Sequence, residues 1–368
     1  MRETLAVCYG TRPQIIKASV LLEELARSWD VLSVDTGQHY DYELNALQYE
    51  QLGVRPPQVY LEVGSGDHAT QTGAILARAA EVLAQRRPAA AVVVGDTNST
   101  LGCALAAVQL RIPVIHVEAG MRGTDAMMAE EVNRRIVDVI STVLCAPSET
   151  AARRLRLEYV AGTVILTGDV ARDVLVRNLA RVPRAADTTD WPLTPATPFV
   201  FATLHRAELT DNADHFAGVV RALGGLDFPV VLAAHPRTGA ALERHGLLDQ
   251  LASSVHLRPP LGYLQSLGCV RDAAAVVTDS GGVQREAYWL GTPCVTVRKE
   301  TEWEETVRLG ANVLVAPAQV AEELAPAVGR QASRTGAARS WDRDAYGTGE
   351  AAVRIREAIE QWRTGSPA

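Results

Sequence analysis

Short apolar segments alternate with helix-like segments along most of the chain, and this alternation constrains the fold more than any other feature. The first series of strand-length runs is TLAVCY (4–9), DVLSVD (30–35), AAAVVV (89–94), PVIHVE (113–118), STVLCAP (141–147) and TVILTG (163–168). After a Pro- and Thr-rich stretch (181–198) come FVFATL (199–204), PVVLAAH (229–235), AAAVVTD (273–279) and PCVTVR (293–298). Mostly apolar strands separated by helices predict parallel sheets that are covered on both faces.

Two such series in 368 residues predict two domains, because one hydrophobic core seldom organises a chain of this length. We expect an α/β protein with two Rossmann-like, doubly wound domains that face each other across a cleft. The predicted N-terminal domain covers 1–172 and the second covers 173–348. Residues 349–368 are expected to form a C-terminal helix that packs back across the domains.

Composition and charge exclude several classes of function. A net charge of -7 argues against a nucleic-acid partner and against binding to an anionic membrane. No apolar run approaches the roughly 18 residues of a transmembrane helix, and the first apolar run is too short for a signal peptide. These features predict a cytoplasmic protein. The five cysteines contain no C-x-x-C pair, which favours buried or free thiols over a disulfide framework or a zinc site.

Polar clusters follow the predicted strands. They read GTRP, TGQHYD, GDTNST, EAGMR, LHRAE, HPRTG, TDSGG and RKETEWEE. Capping a helix needs only one side-chain oxygen, so these clusters carry more polar groups than capping requires. Because open α/β sheets bind ligands at the carboxyl ends of their strands, we expect the clusters to form the functional site.

Two of these clusters suit a diphosphate. In GTRPQIIK, Arg12 offers a bidentate donor and Lys17 lies one turn into the following helix. DSGG (279–282) is a glycine-rich loop before a helix, where backbone N–H groups bind anions, and Glu286 could accept hydrogen bonds from a ribose. Neither G-x-G-x-x-G nor a P-loop motif is present, which disfavours a dinucleotide cofactor. We therefore expect a diphosphate-bearing ligand and neither cofactor nor metal.

For chemistry, the same clusters offer Asp96, Glu118, the adjacent Glu130 and Glu131, and His205. Carboxylates in a partly desolvated cleft can act as acid and base near neutral pH. No serine or cysteine nucleophile motif accompanies them. The residues thus indicate acid–base chemistry on a nucleotide-linked substrate, and leave glycosyl transfer and epimerisation both open.

The motifs, taken together, resemble one family. They are GTRPQIIK, TGQHYD, GDTNSTL, HVEAGMR, EEVNRR, LHRAE, HPRT, TDSGGVQREA and ETEWEE. In this order they are similar to the non-hydrolysing UDP-N-acetylglucosamine 2-epimerases, from about residue 5 to 357. The resemblance implies the glycosyltransferase-B type of fold, which agrees with the two predicted domains. It also implies a homodimer.

The resemblance further implies the reaction: interconversion of UDP-GlcNAc and UDP-ManNAc by elimination of UDP to 2-acetamidoglucal and re-addition. Matched motif by motif, the family's catalytic carboxylates fall on Asp96, Glu118 and Glu130, with His205 as a further acid–base or diphosphate-contacting group. The expected UDP-binding residues are Arg12, Lys17, His235, Ser280, Gly281, Gly282 and Glu286.

Some residues depart from the family's usual pattern. Ala129 stands where relatives usually have Pro before the glutamate pair. The HRAE and ETEW forms resemble a branch that includes epimerases of UDP-2,3-diacetamido-2,3-dideoxyglucuronate, so that sugar, or another modified UDP-HexNAc, is the alternative substrate. A hydrolysing epimerase, a UDP-sugar glycosyltransferase and a non-catalytic nucleotide-sugar sensor are further alternatives.

Overall fold

The structure, a computed structural model, describes residues 2–38, 49, 52–334 and 339–365. His39 and the rest of the TGQHYD motif after Gln38 lie outside the described residues. The chain divides into two compact units, which we call unit 1 (Met1–Arg177 with Asp344–Ala368) and unit 2 (Asn178–Arg343). The predicted boundaries at 172 and 348 lie near these divisions.

Unit 1 is built on a parallel sheet, to which its described residues contribute seven strands in the order β3-β2-β1-β4-β5-β6-β7. The strands are β1 Thr4–Tyr9, β2 Asp30–Asp35, β3 Val59–Tyr60, β4 Ala90–Val94, β5 Val114–Val117, β6 Val143–Ala146 and β7 Thr163–Leu166. Strand order reverses between β1 and β4, which is where doubly wound sheets bind ligands.

The helices of unit 1 follow its strands. They are α1 Arg12–Leu25, α2 His68–Arg86, α3 Asn98–Gln109, α4 Ala129–Ile140, α5 Glu149–Leu157 and α6 Val170–Asn178. A proline in the first turn of α1 has its backbone direction preset for a helix. Thr97 caps α3 by accepting a hydrogen bond from the Thr100 backbone N–H. Both helices therefore start within a few residues of the buried strand that precedes them.

Unit 2 repeats this plan. Over 178–334 and 339–343 it contains six parallel strands in the order β10-β9-β8-β11-β12-β13. The strands are β8 Val200–Thr203, β9 Val230–Ala233, β10 Val255–Arg258, β11 Ala275–Thr278, β12 Cys294–Thr296 and β13 Asn312–Leu314. The helices are α7 Ala207–Thr210, α8 Ala213–Gly224, α9 Pro236–Arg244, α10 Tyr263–Asp272, α11 Gly281–Leu290, α12 Glu304–Arg308 and α13 Val320–Ala332. Strand order reverses between β8 and β11.

The prediction of two parallel, doubly wound α/β sheets is confirmed. The central strands are buried, as their mostly apolar sequences predict. Every position of β4, β5, β6 and β11 is buried. The five cysteines are buried and free. Among the described helices, none combines the length and the apolar character needed to cross a lipid bilayer.

The C-terminal helix α14 (Ala351–Thr364) belongs to unit 1, where it packs on α1 and β6. Its first turn is capped from α6, because the Asp173 carboxylate accepts the backbone N–H groups of Ala351 (3.0 Å) and Ala352 (2.7 Å). Farther along α14, Arg356 donates to Glu24 of α1 at 2.9 Å. The C-terminal helix thus contacts the N-terminal region of the chain and links the two ends of unit 1.

Gly120 follows β5 with a φ of +81°, and a Cβ there would lie 2.5 Å from the carbonyl oxygen of Ala151. We expect Gly120→Ala to lower the free energy of unfolding by about 1–3 kcal/mol or more, since left-handed strain and a backbone clash add. The matched control is Gly73→Ala on α2, where no described atom lies within 4 Å of the added methyl and about 0.5–1 kcal/mol should be gained. Urea unfolding measures both. Equal midpoints for wild type and Gly120→Ala would contradict this account.

Candidate active site

Asp96 stands directly after β4, in the loop that the sequence marked as polar. Its backbone is preceded by Gly95 at φ +69° and followed by the Thr97 cap of α3. Helix α4 holds it from the side: the Arg134 guanidinium forms an ion pair with the Asp96 carboxylate, and Asn133 Nδ2 donates to its backbone oxygen at 2.9 Å. The carboxylate is 24% exposed, so it is fixed and still open to a ligand.

Glu118 follows β5 and carries an unusual backbone. Its φ is +72°, in the left-handed region that costs a non-glycine residue about 1–3 kcal/mol. The conformation is held by two hydrogen bonds, because the backbone N–H groups of Glu118 and Ala119 both donate to the Cys145 oxygen at 3.1 Å. Strain that the surroundings maintain in this way is typical of functional positions.

Lys17 was predicted to contact a diphosphate, and the structure places its ammonium group in an ion pair with Glu118. Both side chains are largely buried, with 8% and 11% of their surface exposed. A Cβ on Gly95 would lie 3.9 Å from Glu118 Oε1 and 4.0 Å from Lys17 Nζ. The predicted residues from α1, β4 and β5 therefore do come together at the carboxyl edge of the sheet.

The two adjacent glutamates at the start of α4 have different environments. Glu131 is fully buried and accepts hydrogen bonds from Arg135 Nε (2.8 Å), Arg134 Nη1 (3.3 Å) and the Gly123 backbone (2.8 Å). Glu130 is half-buried in the same first turn. Glu131 is thus occupied in fixing the loop before α4, whereas Glu130 is the one of the pair with solvent access. Arg134 and Arg135 could have been found from the spacing of EEVNRR, which puts cations three and four residues after Glu131.

In unit 2, a buried aspartate that the sequence analysis did not assign orients His205. Asp279 Oδ2 accepts the backbone N–H groups of His205 and Arg206, both at 2.7 Å, and Oδ1 lies 3.1 Å from His205 Nδ1. Burial acts to raise the pKa of Asp279, but the hydrogen bonds and charge of His205 outweigh it and lower that pKa below its ordinary value. With Nδ1 held by Asp279, Nε2 is the nitrogen left to meet a substrate.

His235 lies beside this pair. Its ring centroid is 5.4 Å from that of His205, and its Nδ1 accepts the Arg237 backbone N–H at 3.3 Å as the cap of α9. The two predicted histidines are therefore neighbours, although they follow different strands. A metal-binding group of three or more His, Cys, Asp or Glu side chains is absent from the part of the chain that the structure describes.

The predicted phosphate loop, Ser280 to Gly282, forms the N-terminus of α11. Ser280 Oγ caps the helix by accepting the Val283 N–H at 3.5 Å. A Cβ on Gly281 would lie 3.0 Å from Trp303 Nε1 and 3.3 Å from Glu302 Oε1, so the loop needs glycine there to pack against the ETEW motif. Glu286 is half-buried on the same helix, and in unit 1 Arg12 is half-buried as the first residue of α1. Both cationic and helix-terminal groups are thus present for an anion.

The described geometry supports acid–base chemistry. In unit 1, Asp96, Glu118 and Glu130 lie at the carboxyl edge of the sheet. In unit 2 by itself, a buried carboxylate orients a histidine, and a glycine-rich loop forms a helix N-terminus. Two of these carboxylates, Asp96 and Glu118, are paired with the cations Arg134 and Lys17.

Comparison with known proteins agrees with this geometry. A family model described as UDP-N-acetylglucosamine 2-epimerase matches residues 23–360. The UDP-2,3-diacetamido-2,3-dideoxy-D-glucuronate 2-epimerase of Pseudomonas aeruginosa is 38% identical over 360 residues, which cover 95% of this chain and 97% of that protein.

Solved structures are similar over the same extent. The crystal structure of Methanocaldococcus jannaschii UDP-GlcNAc 2-epimerase in complex with UDP-GlcNAc and UDP superimposes with a TM-score of 0.88 at 35% identity, covering 97% of this chain and 99% of that one. The calicheamicin glycosyltransferase, at 15% identity and a TM-score of 0.58 over the full length of both chains, shares the fold alone. The predicted glycosyltransferase-B type of fold is confirmed.

The lowered pKa of Asp279 gives a pH-dependent contribution to stability. Because its folded pKa lies below its unfolded pKa, the ionised carboxylate stabilises the folded state above about pH 4, and this stabilisation is lost as the pH falls through the folded pKa. We expect Asp279→Asn to be most destabilising near neutral pH and progressively less so below about pH 4. Urea unfolding over a pH series measures this, with the exposed Asp227→Asn as control. A destabilisation that does not vary with pH would contradict the assignment.

Proposed function

We propose that this chain, which belongs to the UDP-N-acetylglucosamine 2-epimerase family, interconverts UDP-GlcNAc and UDP-ManNAc. It is a nucleotide-sugar 2-epimerase, and so an isomerase. The observation that carries the proposal is the pairing of two strand-end carboxylates, Asp96 and Glu118, with buried cations at the switch point of unit 1. Such a site moves protons and needs no covalent nucleophile.

The C2 hydrogen of the sugar is not adjacent to a carbonyl, so its removal alone would leave an unstabilised carbanion. In the proposed route, a base takes the C2 proton while the C1–O bond to UDP breaks, and a C1–C2 double bond forms. A proton is then returned to the opposite face of C2 as a UDP oxygen bonds to C1 again. The sum of both steps inverts C2 and consumes nothing.

We assign the proton transfers to Asp96, Glu118 and Glu130, since each lies on a loop or first turn at the carboxyl edge of the sheet in unit 1. The route also requires that UDP be held after it is released. His205 oriented by Asp279, His235, the Ser280–Gly282 helix terminus and Glu286 are assigned to the UDP portion in unit 2, and Arg12 and Lys17 to its diphosphate. Lys17 would then exchange Glu118 for a phosphate oxygen, which would free the Glu118 carboxylate to contact the sugar.

The choice of UDP-GlcNAc over the diacetamido-glucuronate rests on charge. A glucuronate adds a carboxylate to the sugar, and its recognition requires a cation. Among the described residues, the cations in ion pairs with Glu118 and Asp96 are Lys17 and Arg134, and Arg134 is also paired with Glu131. This supports the uncharged sugar. The homodimer implied by the resemblance stays a prediction.

The first test is proton NMR of the purified protein with UDP-GlcNAc in deuterated water. We expect UDP-ManNAc to form with deuterium at C2, because the proton removed from one face is replaced by one from solvent-exchanged groups. The control is Asp96→Asn, which keeps the shape of the side chain and should lower turnover by about 10²–10⁴-fold. Free UDP accumulating in proportion to ManNAc would indicate a hydrolysing enzyme. No exchange with UDP-GlcNAc, but exchange with the diacetamido-glucuronate, would overturn the substrate assignment and keep the reaction.

The adjacent glutamates of α4 give a second, internally controlled test. We expect Glu130→Gln to lower kcat by about 10²-fold or more without changing the melting temperature, because the residue is half-buried and assigned to proton transfer. Glu131→Gln should instead lower stability by about 1–3 kcal/mol, since a neutral amide replaces a fully buried carboxylate that accepts hydrogen bonds from Arg134, Arg135 and the Gly123 N–H. Thermal unfolding and steady-state kinetics separate the two. The opposite pattern would exchange their roles.

A further inference from the structure

His116 lies in the interior of β5 and is fully buried, between the two loops that carry Asp96 and Glu118. Both of its ring nitrogens have partners. Nε2 is 2.8 Å from the backbone oxygen of Gly95, and Nδ1 is 2.7 Å from Asp138 Oδ1 on α4. A histidine on an apolar strand is often no more than a satisfied core residue, so its partners decide what it does.

The partners require both nitrogens of His116 to donate. A backbone oxygen only accepts, and an ionised carboxylate only accepts. Burial acts to raise the pKa of Asp138, but His116 and Arg122 outweigh it and lower that pKa. Contacts other than His116 also require the carboxylate, because Asp138 Oδ2 lies 2.7 Å from Arg122 Nη1 and accepts the Gly120 N–H. A neutral imidazole has a single N–H and could satisfy only one of the two contacts. The imidazolium form satisfies both.

Asp138 extends this contact to the second loop. Its Oδ2 accepts the backbone N–H of Gly120 at 3.1 Å and lies 2.7 Å from Arg122 Nη1. Gly120 is two residues after Glu118, and Gly95 is the residue before Asp96. A continuous chain of buried hydrogen bonds therefore joins the two loops through the imidazole ring and one carboxylate.

The loops that this chain joins are also held by backbone hydrogen bonds, since the Gly95 N–H donates to the Val117 oxygen at 2.9 Å and the Glu118 N–H donates to the Cys145 oxygen at 3.1 Å. His116 adds a hydrogen bond to the Gly95 carbonyl, in the peptide that leads into Asp96. Gly95 and Gly120 both have positive φ, and Glu118 between them is strained. The Glu118 carboxylate approaches Gly95 closely, since a Cβ there would lie 3.9 Å from Oε1. Loss of the imidazole contact would therefore release the Gly95 carbonyl, and we expect the Gly95–Asp96 peptide to shift relative to Glu118.

We propose that His116 is a positioning residue which, as a buried imidazolium between Gly95 and Asp138, sets the distance between the Asp96 and Glu118 loops for proton transfer at the sugar. The inference rests on the proposed function and deepens it. Buried ion pairs contribute little net stability compared with apolar residues of the same volume, which favours a geometric role over a purely stabilising one. Displacements of about 1 Å can lower the rate of a positioned reaction about 10²-fold.

Two substitutions separate the contacts of His116. The amide nitrogen of His116→Gln can occupy the place of Nε2 and donate to Gly95, while that of His116→Asn can occupy the place of Nδ1 and donate to Asp138. Each variant keeps one link and breaks the other. We expect both to lower kcat by about 10–100-fold with KM within about twofold, because substrate binding is kept and the spacing of the loops is lost.

Loss of stability is controlled with Leu83→Ala, a truncation in the core of unit 1 on α2, away from these loops. Rates are compared at a temperature at which all variants are folded by circular dichroism, on whichever of the two UDP sugars the wild type epimerises. A destabilised but otherwise normal site, as in Leu83→Ala, should keep the wild-type kcat. If both His116 variants keep it too, or lose no more than Leu83→Ala does, the proposal is overturned.

A spectroscopic measurement tests the imidazolium without using activity. In ¹⁵N-labelled protein near neutral pH, His116 should give two ring N–H signals protected from exchange, both of which disappear in His116→Gln. A single ring N–H signal would overturn the proposed arrangement. Absence of turnover by the wild type on both sugars would overturn the proposed function and, with it, the positioning role. An active wild type with unaffected His116 variants would overturn this inference alone.

Discussion

Each charged group at the carboxyl edge of the sheet in unit 1 must find a counter-charge, because an unpaired buried charge is far more costly than an exposed one. The structure meets this requirement pair by pair: Lys17 with Glu118, Arg134 with Asp96, and Arg122 with Asp138. These pairs connect α1, β4, β5 and α4 at one place. The fold brings the strand ends together, and the pairing decides which carboxylates remain accessible for chemistry.

The sheets could be predicted because their central strands are continuous apolar runs. β1 and β2 have the predicted bounds, and the other predicted strands differ only at their ends. Three described strands, β3, β10 and β13, were not predicted, and all three lie at sheet edges. An edge strand has one neighbour and is partly exposed, as in VHLR of β10, so it lacks the apolar run that marks a central strand. Burial alone does not decide the outcome, since β7 is an edge strand without a buried residue and was predicted from its apolar run TVIL.

The candidate site also contains residues that the sequence could indicate and contacts that it could not. The strand-end residues could be chosen as candidates because they interrupt apolar runs, and parallel topology places such interruptions at one edge of a sheet. Their partners were not found, since Arg134 is 38 residues from Asp96 and Lys17 is 101 residues from Glu118. Nor does the sequence mark the left-handed backbone of Glu118 or the hydrogen bonds that hold it. Sequence spacing predicts which residues are neighbours on the same helix or strand. The contacts of Asp96 and Glu118 join different elements, so they depend on tertiary packing that spacing does not predict.

Both units hold a functional loop with a buried aspartate from a neighbouring element. In unit 2, Asp279 after β11 accepts two backbone N–H groups of the loop after β8 and orients His205. In unit 1, Asp138 on α4 accepts the N–H of Gly120 after β5 and contacts His116. In each case the carboxylate that fixes the backbone is buried and ionised, and its partner is a histidine. A carboxylate can accept from a backbone N–H and a ring N–H at once, so a single side chain fixes a loop and orients an imidazole. This accounts for the buried acids beside the two loops that carry the proposed site residues.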